Sequence, residues 1–151
     1  MTKPYIKYKS KYKYQLDEEY QVKVSVIPKE DVQIKHYIEL NTEGMLVIKK
    51  GYAWDGPSGP TWDTPSFMRG SLVHDALYQI LRNNFLEQKW EKWREEARKE
   101  ADKELRRICR EDGMSRIRAW YVYQAVSRWG GRAADPESRK KIHVAPEGWP
   151  G

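Results

Sequence analysis

The chain has 151 residues, room for about one domain at the usual ~100–200 residues, and 28 Lys+Arg against 22 Asp+Glu give a formal net charge of +6. Hydrophobic residues make up only 39%, but 7 Trp, 10 Tyr and 2 Phe supply rings that each bury roughly 150–250 Å², which excludes disorder throughout. No apolar run nears the ~20 residues that span a bilayer, Met1 to Gln15 lacks the apolar core of a signal peptide, and Cys109 alone makes neither an internal disulfide nor a CxxC zinc site, so synthesis in the cytoplasm is expected.

From Tyr5 to Lys50 the apolar pattern has period two, as in half-buried strands. The first part, Lys7 to Tyr14, interleaves lysines with tyrosines. It reads as an edge strand guarded by lysines, in preference to a stretch that binds phosphates and stacks bases. Tyr20, Val22, Val24 and Val26 point one way and Gln21, Lys23 and Ser25 the other. A second row holds Ile34, His36, Ile38 and Leu40, and Met45 to Ile48 is a short apolar strand. Pro28 to Asp31 and Asn41 to Gly44 carry turn chemistry. A small antiparallel sheet of about four strands follows, too small to stand without a helix on its face.

Residues 51–65 hold Gly51, Gly56, Gly59, Pro57, Pro60 and Pro65 among Tyr52, Trp54 and Trp62. This is a Gly/Pro/aromatic loop, either a packed structural element or part of a site. Three helices are predicted next. The first opens at Thr64-Pro65 and keeps a 3.6 period through Met68, Leu72, Val73, Ala76, Leu77, Ile80 and Leu81 as far as Asn83-Asn84. The second runs from about Glu87 to Glu111 on a Trp90, Trp93, Ala97, Ala101, Leu105, Ile108 stripe, with a solvated outer face of opposite charges. Gly113 caps it and Ser115 opens the third, whose buried stripe is Ala119, Val122, Ala125, Val126 and Trp129. Gly130 onward reads as tail. The expected organisation is one α+β domain over residues 1–131, with an extended tail over 132–151.

The chemistry gathers at Val73-His74-Asp75-Ala76-Leu77-Tyr78. On a helix His74 and Tyr78 are four apart and Asp75 and Tyr78 three apart, so they share one flank beside the apolar stripe. A His-Asp pair at a core edge carries a desolvation cost that needs offsetting, whether its role is structural or chemical. Asp102 lies beside the stripe of the second helix, and antiparallel packing of the two helices brings it toward the same flank. Cys109 reads as a buried small hydrophobe.

The order His-Asp-x-x-Tyr followed by a later Ala-Asp resembles the phospholipases A2, in particular the compact parvoviral capsid phospholipase domains. The resemblance implies that His74 is a general base on water, that Asp102 orients it, that Tyr78 supports the pair, and that Asp75 binds calcium. The family's calcium loop is of Tyr-Gly-x-Gly type, whereas residues 51–60 here read Gly-Tyr-Ala-Trp-Asp-Gly-Pro-Ser-Gly-Pro. Asp55 is added as a second metal residue from its place in that loop. A broader likeness spans roughly residues 45–131: Gly51, Asp55, Ser58 and Pro60, then His74, Asp75 and Tyr78, then Asp102, then a Trp/Tyr-rich helix ending at Gly130. This succession is similar to a widespread bacterial and phage family of unknown function and implies phage or prophage origin.

The expected function is therefore a phage-associated hydrolase with metal-assisted ester chemistry. Its catalytic residues would be His74, Asp102 and Tyr78, its metal residues Asp75 and Asp55, and its cofactor calcium. The alternative from another class is a non-catalytic phage structural or host-interaction protein with a basic, aromatic-rich surface. Expected partners are a phospholipid or membrane surface and other phage proteins, in a virion or at the host, ahead of nucleic acid. A phosphohydrolase of the HD type, drawing on His36, His74, Asp75 and Asp102, is a further reading. It suffers from His36 lying in a strand-like run where that fold uses helices.

Overall fold

The computed structural model describes residues 6–9, 14–54, 65–84, 91–133 and 142–145 as an α+β arrangement. The strands are β1 (Ile6–Lys9), β2 (Tyr14–Gln15), β3 (Tyr20–Lys23), β4 (Val32–Ile34), β5 (Ile38–Leu40), β6 (Met45–Ile48) and β7 (Ala53–Trp54). Helices α1 (Pro65–Asn84), α2 (Glu91–Glu111) and α3 (Arg116–Ala133) follow, then β8 (Ile142–Ala145). The main sheet is antiparallel in the order β3-β6-β5-β4. Two shorter ladders pair β2 with β7 and β1 with β8, Ile6 lying opposite Ala145.

Alternation sorts the sheet as expected: Val24, Val26, Ile34, Ile38, Leu40 and Ile48 are buried, while Gln21, Lys23 and Ser25 face solvent. The row from Ile34 to Leu40 is not one strand, however. It is a hairpin turning at residues 35–37, with Lys35 at φ 49° and Ile34 paired with Ile38. Residues opposite each other across a ladder share a face, so this reversal leaves the period-two pattern intact and hides itself. The turn at Asn41 is built as its residues suggest. The Asn41 side-chain oxygen accepts the backbone N–H groups of Glu43 and Met45, both at 2.9 Å, and Gly44 takes φ 85°.

α1 is the centre of the core. From Gly70 to Leu81 every residue is buried except Asp75 and Gln79, which are partly open and lie four apart on one flank. It packs on the sheet and on α2, where Ala97, Ala101 and Ile108 join the same cluster. The approach to α2 is close because Gly70 has no side chain. A Cβ there would lie 2.7 Å from Cys109 Sγ and 3.0 Å from Leu105 Cδ1, so any other residue would hold the helices apart.

Gly113, at φ 97°, closes α2, and the Ser115 hydroxyl accepts the Arg118 N–H at 3.2 Å to open α3. α3 buries Ala119 and Val122 against Phe67, Leu105, Cys109 and Met114. Ala125, expected in that stripe, is exposed, since it stands ~100° around the helix from Val126. α3 also runs past its expected end at Gly130 to Ala133. Glycine costs a helix about 1 kcal/mol relative to alanine but leaves its hydrogen bonds in place. Among the described residues no helix is long and apolar enough to cross a membrane.

Candidate functional site

The site depends on the register of α1 against α2. At 1.5 Å per residue, the arm from His74 to the end of α1 at Asn84 is 84 − 74 = 10 residues. The arm from the start of α2 at Glu91 to Asp102 is 102 − 91 = 11. The two heights match, and Asp102 arrives beside His74.

His74 Nε2 lies 2.8 Å from Asp102 Oδ1, and the Tyr78 hydroxyl donates to the same oxygen at 2.5 Å. The His74 and Tyr78 rings, one turn apart on α1, are 4.1 Å between centroids. All three residues are buried, Asp102 almost wholly at 1% exposure. A carboxylate only accepts, so Nε2 carries the proton and donates, which leaves the Nδ1 lone pair available in the neutral ring. Nδ1 is turned toward Asp75, whose Oδ1 is 4.0 Å away and whose side chain is 35% exposed.

Burial of Asp102 is offset from a second side as well. Arg98, one turn earlier on α2, brings a guanidinium nitrogen to 3.6 Å from Asp102 Oδ2. That oxygen has no hydrogen-bond partner among the described residues, so its compensation is the charge of Arg98. Sequence reasoning missed Arg98. The signal was its i,i+4 spacing to Asp102, one such pair among several on the same helix.

The partly open flank of α1 is fixed to the β7 segment of the β2–β7 ladder. The Tyr52 hydroxyl donates to Gln79 Oε1 at 3.0 Å, and Trp54 Nε1–H donates to Ser71 Oγ at 3.1 Å. Ser71 and Gln79 bracket Asp75, so β7 delivers the chain to the same flank. Asp55, the next residue, lies outside the described residues, as does most of the Gly/Pro/aromatic loop. Burial holds the Tyr52 hydroxyl above its ordinary range, and the Asp75 charge adds to this. Arg82, further along α1, is shifted down by burial against the opposing pull of Tyr52, Asp75 and Tyr78.

Burial works against protonation of His74, but its hydrogen bond to Asp102 and the nearby Asp75 carboxylate outweigh it, so the pKa is raised above the usual 6.5. A folded-state value above the unfolded one stabilises the fold fully below the unfolded pKa, and that contribution is lost as pH rises through the folded value. Proton NMR of the His74 ring is expected to give a midpoint above 6.5. Urea unfolding should show stability falling in the same window and that fall disappearing in His74→Asn. A midpoint at or below the ordinary value would contradict the geometry.

The structure thus brings His74, Asp75, Tyr78 and Asp102 together. His36 is separate from them in the exposed β4–β5 turn, which withdraws the expected fourth ligand of an HD-type centre. Among the described residues no three His, Cys, Asp or Glu side chains come together to hold a metal. Calcium takes 6–8 oxygen ligands, and Asp75 supplies one carboxylate, so the described residues do not by themselves form the calcium centre that the phospholipase resemblance implies.

A family model described as a protein of unknown function, DUF1353, matches residues 30–126, more than half of the chain. The matched span runs from just before β4 into α3 and includes His74, Asp75, Tyr78, Arg98 and Asp102. No curated protein and no solved structure matches the chain.

Proposed function

The chain belongs to the DUF1353 family, whose function is unknown, and from that premise we propose that it is a hydrolase in which His74 acts as general base on water to cleave a carboxylic ester, specifically a phospholipid ester. The observation that carries this reading is the Nε2 contact of His74 with buried Asp102 at 2.8 Å, which leaves Nδ1 on the side of the partly exposed Asp75, 4.0 Å from its Oδ1. In the reaction Nδ1 takes a proton from water as the oxygen attacks the ester carbonyl. The ester C–O bond then breaks, and the imidazolium returns the proton to the departing alkoxide. Asp102 holds the ring in the reactive tautomer and stabilises its charge, and Tyr78 and Arg98 hold Asp102. No step is assigned to a metal ion.

The succession of motifs from Gly51 to Gly130 supports placing this hydrolase among phage or prophage products. A second reading, a non-catalytic structural or host-contact protein, is favoured by the exposed rings on α3. One assay separates the two: fatty-acid release from mixed anionic vesicles, run with calcium and with chelator. The hydrolase reading expects release that depends on His74, and the comparison of the two conditions reports on calcium. No release under either condition would defeat it and leave the contact protein.

A further inference from the structure

We propose that the outward face of α3 docks the protein on an anionic bilayer. A surface helix ordinarily turns charge to solvent opposite its buried stripe. α3 turns Ile117, Trp120 and Tyr121 outward instead, at 72%, 45% and 64% exposure. Their i, i+3, i+4 spacing puts them on one face, opposite Ala119, Val122 and Val126. The two rings meet edge to face at 5.3 Å. The charges of this helix have one sign: Arg116, Arg118, Arg128 and Arg132 occur between residues 116 and 133, with no Asp or Glu. Arg116 and Arg128 are exposed. α2 by contrast interleaves its Lys and Arg with Glu.

An apolar face whose own helix carries cations alone selects its occupant by charge. A second copy of the same face would bring arginine against arginine. A nucleic acid offers phosphates but no hydrocarbon for Ile117, the most exposed of the three. An anionic bilayer satisfies the whole set: Trp and Tyr sit at headgroup depth, Ile117 enters the acyl boundary, and the exposed Arg116 and Arg128 meet the lipid charge. This docking deepens the ester-hydrolase reading, on which its purpose rests, because phospholipid esters are presented at such a surface.

The test is co-sedimentation of the full chain with phosphatidylcholine vesicles, with and without phosphatidylserine. Binding is expected on the anionic vesicles and should weaken with salt. The variant Ile117→Ser/Trp120→Ser/Tyr121→Ser should lose on the order of tenfold or more. Arg116→Gln and Arg128→Gln should lose roughly fivefold each, and these milder surface changes keep the test valid if the triple variant folds poorly. His74→Ala should bind vesicles as wild type does, so a failed hydrolase reading leaves the docking measurable. The proposal would be overturned by no anionic-vesicle binding, by unchanged binding in folded face variants, or by DNA binding in place of vesicle binding that needs the same residues. A wild-type dimer that the triple variant disperses would also overturn it, by assigning the face to self-association.

Discussion

Ester turnover is expected to fall by about 10²–10⁴-fold when His74 is replaced by alanine, the range typical for loss of a general base. The fold should survive, because Asp102 keeps the Tyr78 hydroxyl and the Arg98 charge when the imidazole is removed. His74→Asn is the companion variant, as it retains a polar group beside Asp102 but has no basic nitrogen. Both should melt cooperatively, and both should be inactive in the fatty-acid release assay. Activity equal to wild type in either would remove His74 from the chemistry.

The largest loss of stability is expected at Asp102. Replacing it by alanine removes the shared acceptor of His74 and Tyr78 and the counter-charge of Arg98 in one step. Breaking a buried ionic cluster from one side typically costs about 3–5 kcal/mol, and urea unfolding of the full chain should show a loss of that order. Asp102→Asn is expected to be milder because shape and one acceptor remain. It should still lower turnover, since an amide no longer stabilises the imidazolium, and it should pull the His74 midpoint down. A loss under about 1 kcal/mol for the alanine variant would mean that the cluster is solvated and not a buried unit.

Much of the fold was legible because its periods are clean. Alternation located the sheet, and the 3.6 repeat placed α1, which begins at Pro65; Thr64, the expected cap, lies outside the described residues. The β4–β5 reversal was not legible, since a hairpin that pairs Ile34 with Ile38 preserves parity. In the site, the His74, Asp75, Tyr78 flank followed from helical spacing alone. The partnership with Asp102 needed a register that depends on where α2 begins. Arg98 and Glu104 escaped for a related reason. They belong to a helix whose outer charges look solvated, yet Glu104 is 5% exposed and accepts the Ser25 N–H at 2.9 Å. Only the chain segment following β3, lying across α2, distinguishes that carboxylate from its neighbours.

The contact between Gly70 and Cys109 has a kinetic consequence. Cys109 is the chain's one thiol, it is fully buried, and burial pushes its pKa up to about 12. The reactive species with a disulfide reagent is the thiolate, so the native thiol should be inert and labelling should proceed only through local opening. Cys109 is covered by Gly70 of α1 on one side and by Ala119 and Val122 of α3 on the other, so it is freed when α2 parts from either helix. The rate at which Cys109 reacts therefore times how often the packing around α2 opens, and a ligand that tightens the α1–α2 interface at His74 and Asp102 should slow the part of that opening that runs between those two helices, without touching the sulfur.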